Sequence, residues 1–151
     1  MIMGLSLEQK DGEWYNSLPH HGGIYDLIYT AVSGNHGTED RLRAVVALVK
    51  SGDPRAVRPL VDLLGEPEME IRQAATTALG SLKSGRPVDE LTGKLRDRNE
   101  QVGIRKQAAV ALTAIRSTGA LSGLREFVDD ESEDPALREF TESLLRDLGS
   151  L

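Results

Sequence analysis

Cysteine is absent from the 151 residues, and aromatic side chains make up only 4% of them. Without cysteine the chain has no disulfide, no thiolate zinc site and no cysteine nucleophile. With so few aromatics, a core must be built from small and aliphatic side chains, which favours helices packed closely in layers. The longest apolar runs, such as 44–49, are too short to cross a bilayer, and residues 1–10 lack the pattern of a secretory signal. We therefore expect a cytoplasmic protein without a membrane partner.

The net charge of −6 is distributed unevenly along the chain. Residues 1–37 carry one basic and four acidic side chains, residues 38–117 carry 14 and 11, and residues 118–151 carry three and nine. An acidic chain repels phosphate backbones at long range, so we expect no nucleic acid partner. The competing hypothesis is a nucleic-acid binder with a basic stripe in the middle of the chain. That stripe would use Arg41, Arg43, Arg72 and Arg105.

Internal repetition is the main signal in the sequence. Leucine recurs at intervals of 31, 33 and 33 residues, and an arginine stands seven residues before each of these leucines. A repeat of this length is typical of stacked supersecondary units. The leucines are Leu48, Leu79, Leu112 and Leu145, and the arginines are Arg41, Arg72, Arg105 and Arg138.

Within each unit the apolar spacing predicts a pair of helices. Residues 53–79 carry two apolar stripes at helical spacing, separated by a Gly-Glu-Pro corner. The first stripe follows Asp53 and Pro54, which suit a helix start, and it stops at Gly65. One helix would expose its stripe, whereas stacked pairs bury it. The pattern predicts a repeat domain at 38–151, with units at 38–68, 69–101 and 102–134 and a half unit at 135–148. Residues 1–37 are expected to form an irregular segment and cap, with a helix at 24–33.

The stretch SGDPRAVRPLVDLLGEPEMEIRQAATTALGSL resembles the HEAT-like repeats also found in phycobilisome lyase subunits, and the resemblance covers residues 38–148. It implies an all-α fold, a right-handed α-α superhelix of stacked antiparallel helix pairs. The family includes scaffolds, chaperone-like lyase subunits and a di-iron hydroxylase whose ligands are His-Glu pairs. Because the sequence contains no His-Glu dipeptide, we do not expect that hydroxylation activity.

Two positions depart from the repeat pattern. Asp40 stands where Ile71 and Ile104 stand, so we expect the first unit's opening helix to be shifted or partly exposed. Lys94 replaces an apolar residue, and we expect its ammonium group to extend past the edge of the core.

The recurrent arginines are accompanied by acids that keep the same register. These acids precede the arginines by six or eight residues. We expect a structural ladder in which each arginine binds a carboxylate or a carbonyl at the turn between units. The resemblance implies the same structural role; the alternative is an arginine row that contacts an anionic partner. The ladder consists of Arg72, Arg105 and Arg138 with Glu66, Asp97 and Asp130.

A partner surface is expected on the second helix of each unit, because second helices usually line the concave face of such stacks. Charges of both signs mix there, which suits a protein or peptide better than a nucleic acid. Gly93 and Gly123 indicate either close approach by another chain or a packing need. The expected contact residues are Arg58, Asp62, Asp89, Thr92, Arg96, Arg125 and Glu126.

Three other groups of residues are candidate sites. Trp14 and Tyr15 either cover the end of the stack or form an aromatic anchor for a partner. His20, His21 and His36 lack a spacing that places two imidazoles on one face, so no metal site is expected. The acidic run at 129–134 lacks the order of a calcium loop.

These features predict a non-enzymatic interaction or scaffold module, without catalytic residues or a cofactor. Its partner would be a protein or peptide, and its expected state is a monomer. The alternative is a lyase-like or cofactor-handling subunit related to the phycobilisome proteins.

Overall fold

The computed structural model describes residues 23–150, and these residues are helical with no strand. Eight α-helices and two short 3-10 helices follow one another along the described chain. The α-helices are α1 (Ile24–Val32), α2 (Thr38–Ser51), α3 (Val57–Asp62), α4 (Met69–Leu82), α5 (Val88–Arg96), α6 (Val102–Ile115), α7 (Thr118–Asp129) and α8 (Pro135–Asp147). The 3-10 helices, Pro54–Ala56 and Leu63–Gly65, extend α3 at its two ends.

The helices form two layers. The first helices of the units, α2, α4, α6 and α8, pack on one another in sequence order. The second helices form the other layer: α1 packs on α2, α3 on α4, α5 on α6 and α7 on α8. The prediction of an all-α solenoid built from helix pairs is thereby confirmed. None of the helices in the described part is both long and apolar enough to cross a membrane.

The repeated leucines form the centre of the core. Leu48, Leu79, Leu112 and Leu145 have no exposed surface. Each such leucine contributes roughly 1.5–3 kcal/mol through the area that it removes from water. Equivalent positions in successive units therefore share one environment, as the register of the sequence predicts.

Local signals set the helix starts. The carboxylate of Asp53 accepts a hydrogen bond from the Arg55 N–H at 2.9 Å, and Pro54 opens the turn that leads into α3. Asp134 caps α8 in the same manner, accepting from the Leu137 N–H at 2.8 Å. Each side chain satisfies a backbone donor that the helix itself leaves unpaired.

The residues that follow the first helices share a left-handed backbone. Their φ angles are 64°, 56°, 57° and 74°, and they recur at the 31, 33 and 33 residue steps of the leucines. This conformation ends a helix sharply and favours glycine. The four residues are Gly52, Lys83, Arg116 and Gly149.

Candidate functional site

Three of the four recurrent arginines clamp a first helix to the second helix before it. In each of them the guanidinium Nε donates to a carbonyl ten residues earlier, at 2.9, 2.8 and 2.9 Å. Each carbonyl belongs to the last but one residue of a second helix, where backbone acceptors lack helical partners and a positive charge is favourable. The pairs are Arg41 with Ala31, Arg105 with Leu95, and Arg138 with Val128.

Arg72 is oriented differently and binds two units at once. Its Nη1 donates to the carbonyl oxygens of Glu66 and Pro67 at 2.9 and 2.8 Å. Its Nε and Nη2 form a bidentate pair with the Glu100 carboxylate at 2.9 and 3.0 Å. The hydrogen bond to Glu100 raises the pKa of Arg72.

Glu100 is the most enclosed carboxylate of this group, with 2% of its side chain exposed. The Lys94 ammonium group donates to it at 2.9 Å and the Gln101 N–H at 2.8 Å. Burial raises the pKa of Glu100, but the hydrogen bonds from Arg72, Lys94 and Gln101 outweigh burial and lower it to about 2. The expectation that Lys94 extends past the core edge is wrong, because this buried carboxylate holds its ammonium group.

Glu133 occupies the equivalent place in the next unit. Its side chain is 3% exposed and lies 3.1 Å from Nη2 of Arg105, with Arg96 and Arg98 at 3.7 and 3.6 Å. In the first unit, Arg41 reaches Glu66 at 2.6 Å and Glu68 at 3.2 Å. The carboxylate that binds each of these arginines therefore lies further along the chain, in the turn after the second helix of the same unit.

The predicted acids thus have partners other than the arginines with which they were grouped. Glu66 pairs with Arg41 of its own unit, and only its backbone carbonyl binds Arg72 of the next unit. The Asp97 carboxylate accepts from the Asn99 N–H at 3.0 Å. Asp130 accepts from the Ser132 hydroxyl and N–H and from Arg96, and these hydrogen bonds lower its pKa to about 2. Spacing revealed the arginines, but which acid meets which arginine depends on how the units stack.

The residues predicted to contact a partner lie in the second-helix layer. Thr92 and Arg96 are half-buried: Thr92 donates to the Val88 carbonyl at 2.8 Å, and Arg96 lies over the Phe127 ring and pairs with Asp130 at 3.1 Å. The other five are exposed on α3, α5 and α7. These are Arg58, Asp62, Asp89, Arg125 and Glu126.

The two glycines of this layer differ in their surroundings. A Cβ at Gly123 would lie 3.1 Å from Oγ1 of Thr92, so this glycine lets α5 and α7 approach each other. A Cβ at Gly93 would meet nothing within 4 Å, and the residue is exposed. Internal packing explains Gly123 but gives no account of Gly93.

A model of the HEAT repeats family matches the chain twice, at residues 30–103 and 70–145. Together these matches run from residue 30 to residue 145, well over half of the 151 residues. The chain belongs to the HEAT repeat family. Its likeness to the phycobilisome lyase type of HEAT protein remains a prediction.

This HEAT stack is similar to a solved structure of human deoxyhypusine hydroxylase in complex with glycerol. The two share 25% sequence identity with a TM-score of 0.73, over 87% of this chain and 45% of that chain. The HEAT chain therefore spans less than half the length of that hydroxylase. No curated protein sequence matches the chain significantly.

Several predicted residues lie outside the described part of the HEAT chain, namely Trp14, Tyr15, His20 and His21. His36 is described and meets the ring of Tyr29 edge-on, with the ring centroids 5.9 Å apart. Within residues 23–150, no three His, Asp or Glu side chains are grouped so that they could hold a metal ion.

Proposed function

We propose that this chain is a monomeric, cytoplasmic, non-enzymatic interaction module whose protein partner docks on the second-helix layer. The observation that carries the proposal is a set of exposed charged side chains contributed by three consecutive units. Asp89 on α5 and Arg125 and Glu126 on α7 belong to this set. Arg58 and Asp62 extend it onto α3.

Rigid support for these side chains favours binding. The same helices are anchored by Leu60, Leu91 and Leu124, which have no exposed surface. A surface held in place before binding loses less conformational entropy when the partner docks, so more of the contact energy contributes to affinity. The arginine ladder adds to this rigidity by fixing each turn between units.

The charges favour a folded protein or a peptide over a phosphate polymer. Asp89 and Glu126 would oppose a polyanion, while Arg125 would attract it. Alternating signs instead select a partner with a complementary pattern. Gly93 adds an open position beside Asp89, at which a partner backbone could approach closely.

A charge exchange tests the proposal without altering the net charge. We expect the double variant Asp89→Arg with Arg125→Glu to lose partners that the wild type retains in quantitative affinity capture from the native cell. The matched control is Glu139→Arg with Arg146→Glu, exposed positions on α8 outside the second-helix layer. Equal loss in both variants, or no loss in either, would contradict the proposed surface.

The lyase-like alternative remains a prediction with its own test. Because the HEAT chain covers 45% of the similar hydroxylase, we transfer no activity from that protein. Aerobic purification followed by an absorption spectrum and metal analysis addresses cofactor handling directly. A coloured or metal-loaded preparation would favour the alternative over the interaction module.

A further inference from the structure

The turns at the two ends of the helices differ in charge. The turns inside the units contain four basic side chains and one acidic side chain, whereas the turns between units contain one basic and eight acidic side chains. The turns inside the units are 52–56, 83–87 and 116–117, and the turns between units are 63–68, 97–101 and 130–134. Because successive units stack side by side, one edge of the stack is basic and the other is acidic.

The charges at the two edges are neutralised to different extents. At the acidic edge, the carboxylates of Glu66, Glu100 and Glu133 already bind the recurrent arginines. At the opposite edge, Arg55 pairs with Asp53. Three further basic side chains there are exposed, and within the described part of the chain none of them has a hydrogen-bond or ion-pair partner. We call these three residues, Lys83, Arg86 and Arg116, the basic edge.

Two residues of the basic edge keep a side chain where the backbone favours glycine. Lys83 and Arg116 have φ angles of 56° and 57°, and among the described residues only these two and glycines have a positive φ. At the same repeat position the first unit has Gly52 and the last has Gly149. Strained backbone of this kind is concentrated at binding and catalytic positions. A cation at both strained positions indicates an anionic ligand.

Close helix contacts hold the two turns side by side. A Cβ on Gly80, three residues before Lys83, would lie 2.9 Å from Cα of Ala111 on the next first helix. A Cβ on Gly119, three residues after Arg116, would lie 3.7 Å from a side-chain methyl group at the start of α5. Packed helices are about 8–10 Å apart, a gap that about three residues of extended chain cover. Anionic side chains of one extended segment can therefore reach both cations.

We propose that the basic edge binds an acidic segment of a partner protein through the carboxylates of that segment. A nucleic acid fits less well, because the exposed Asp89 and Glu90 follow Arg86 in the first turn of α5. A phosphate polymer carries charge at every step, whereas a protein can place a neutral or basic residue opposite these acids. Lys83 and Arg116 follow the first helices, so this contact does not require docking on the second-helix layer.

Fluorescence anisotropy of a labelled acidic peptide tests this binding with the full chain. The probe is a glutamate-rich peptide of about ten residues, which spans roughly 33–36 Å when extended and so covers both turns. We expect the wild type to bind it with an affinity that falls as the salt concentration rises. The double variant Lys83→Gln with Arg116→Gln should bind it roughly ten-fold more weakly. The matched control is Arg43→Gln with Lys106→Gln, exposed positions in the first halves of α2 and α6.

A glycine pair separates binding from folding. We expect Lys83→Gly with Arg116→Gly to raise the free energy of unfolding, because the left-handed backbone favours glycine. The same pair should weaken peptide binding as much as the glutamine pair does. Loss of binding in a more stable variant cannot come from damage to the fold.

An oligothymidylate with the same number of negative charges is measured beside the peptide, and we expect it to bind more weakly. Tighter binding of the oligonucleotide that the same substitutions abolish would assign the basic edge to a nucleic acid and overturn the proposal. Failure of the wild type to bind the peptide would also overturn it. So would an unchanged affinity in either double variant of Lys83 and Arg116, or an equal loss in the control.

Discussion

At the scale of single residues, Gly80 is the glycine of residues 23–150 at which a methyl group would collide with backbone. A Cβ there would lie 2.9 Å from both Cα and Cβ of Ala111. We expect Gly80→Ala to destabilise the fold by about 1–2 kcal/mol, because overpacking outweighs the gain in helix propensity. Urea denaturation measures this change.

The matched substitution is Gly93→Ala, also within a helix, where nothing lies within 4 Å of the new methyl group. We expect it to stabilise the chain by about 0.5–1 kcal/mol. Equal effects of the two substitutions would show that the contact between α4 and α6 is looser than described. If Gly93→Ala also weakens partner capture, the open position belongs to the binding surface.

A second residue-scale prediction concerns Glu100. We expect Glu100→Gln to cost about 3 kcal/mol at neutral pH, because Arg72 and Lys94 would remain half-buried without their carboxylate. The pKa of Glu100 is about 2 in the folded chain, below its ordinary value of 4.5. Its ionised form therefore stabilises the fold fully above pH 4.5, and this contribution is lost as pH falls towards 2.

Denaturation midpoints of wild type and Glu100→Gln across pH test the sign. The difference between the two proteins should be largest near neutrality and should shrink between pH 5 and 2, as expected for a depressed carboxyl pKa. Glu139→Gln, at an exposed position, serves as control. A difference that stays constant with pH would contradict the assigned role of the ionised carboxylate.

At the scale of helices and turns, the left-handed residues after each first helix make a prediction of their own. Lys83 and Arg116 adopt φ angles of 56° and 57°, a conformation that costs a side-chain-bearing residue about 1 kcal/mol relative to glycine. We expect Lys83→Gly and Arg116→Gly each to raise the free energy of unfolding by about that amount.

The converse change, Gly52→Ala, should lower the free energy of unfolding by a similar amount, since Gly52 has a φ of 64°. Gly65→Ala is the control, because Gly65 lies at a negative φ with open space around it. Thermal or urea unfolding checks all four variants. Destabilisation by Lys83→Gly would mean that the lysine side chain makes a contact that outweighs the backbone preference.

The helices could be predicted from the sequence, whereas two of these turns and the ion pairs could not. The helix at 24–33, the start after Asp53 and the arginine positions follow from local spacing, and the structure has a helix at Ile24–Val32. Lys83 and Arg116 stand at the repeat position that glycine occupies at Gly52 and Gly149. Because neither residue is a glycine, no local sequence signal marked the left-handed turn there. The acids that bind Arg72 and Arg105 lie 28 residues further along, and their assignment requires the packing of neighbouring units.

At the scale of the whole molecule, the fold was accessible from sequence because most contacts join a helix to its neighbours in one stack. Each unit repeats the same environment, so one recognised unit predicts the rest. A binding surface has no such redundancy. The proposed contact residues Asp89, Arg125 and Glu126 lie at exposed positions, where the fold accepts many residue types. The repeat pattern therefore specifies the fold but not the partner.

The stacked architecture makes a final prediction about cooperativity. Leu79 and Leu145 occupy equivalent positions and neither has any exposed surface. Replacing either by alanine should cost roughly 2–5 kcal/mol locally. Leu79 lies in α4, between α2 and α6, whereas Leu145 lies in α8, which packs on α6 and α7 at one end of the described stack. In a stack whose repeats contact only their neighbours, destabilisation of a central helix should extend to the helices on both sides. Destabilisation of a helix at one end should stay local. Hydrogen exchange read by mass spectrometry should therefore show faster exchange over α2 to α6 in Leu79→Ala and mainly over α7 and α8 in Leu145→Ala. Uniform acceleration in both variants would mean that the HEAT stack unfolds as one cooperative unit, because the arginine clamps between its turns couple every repeat.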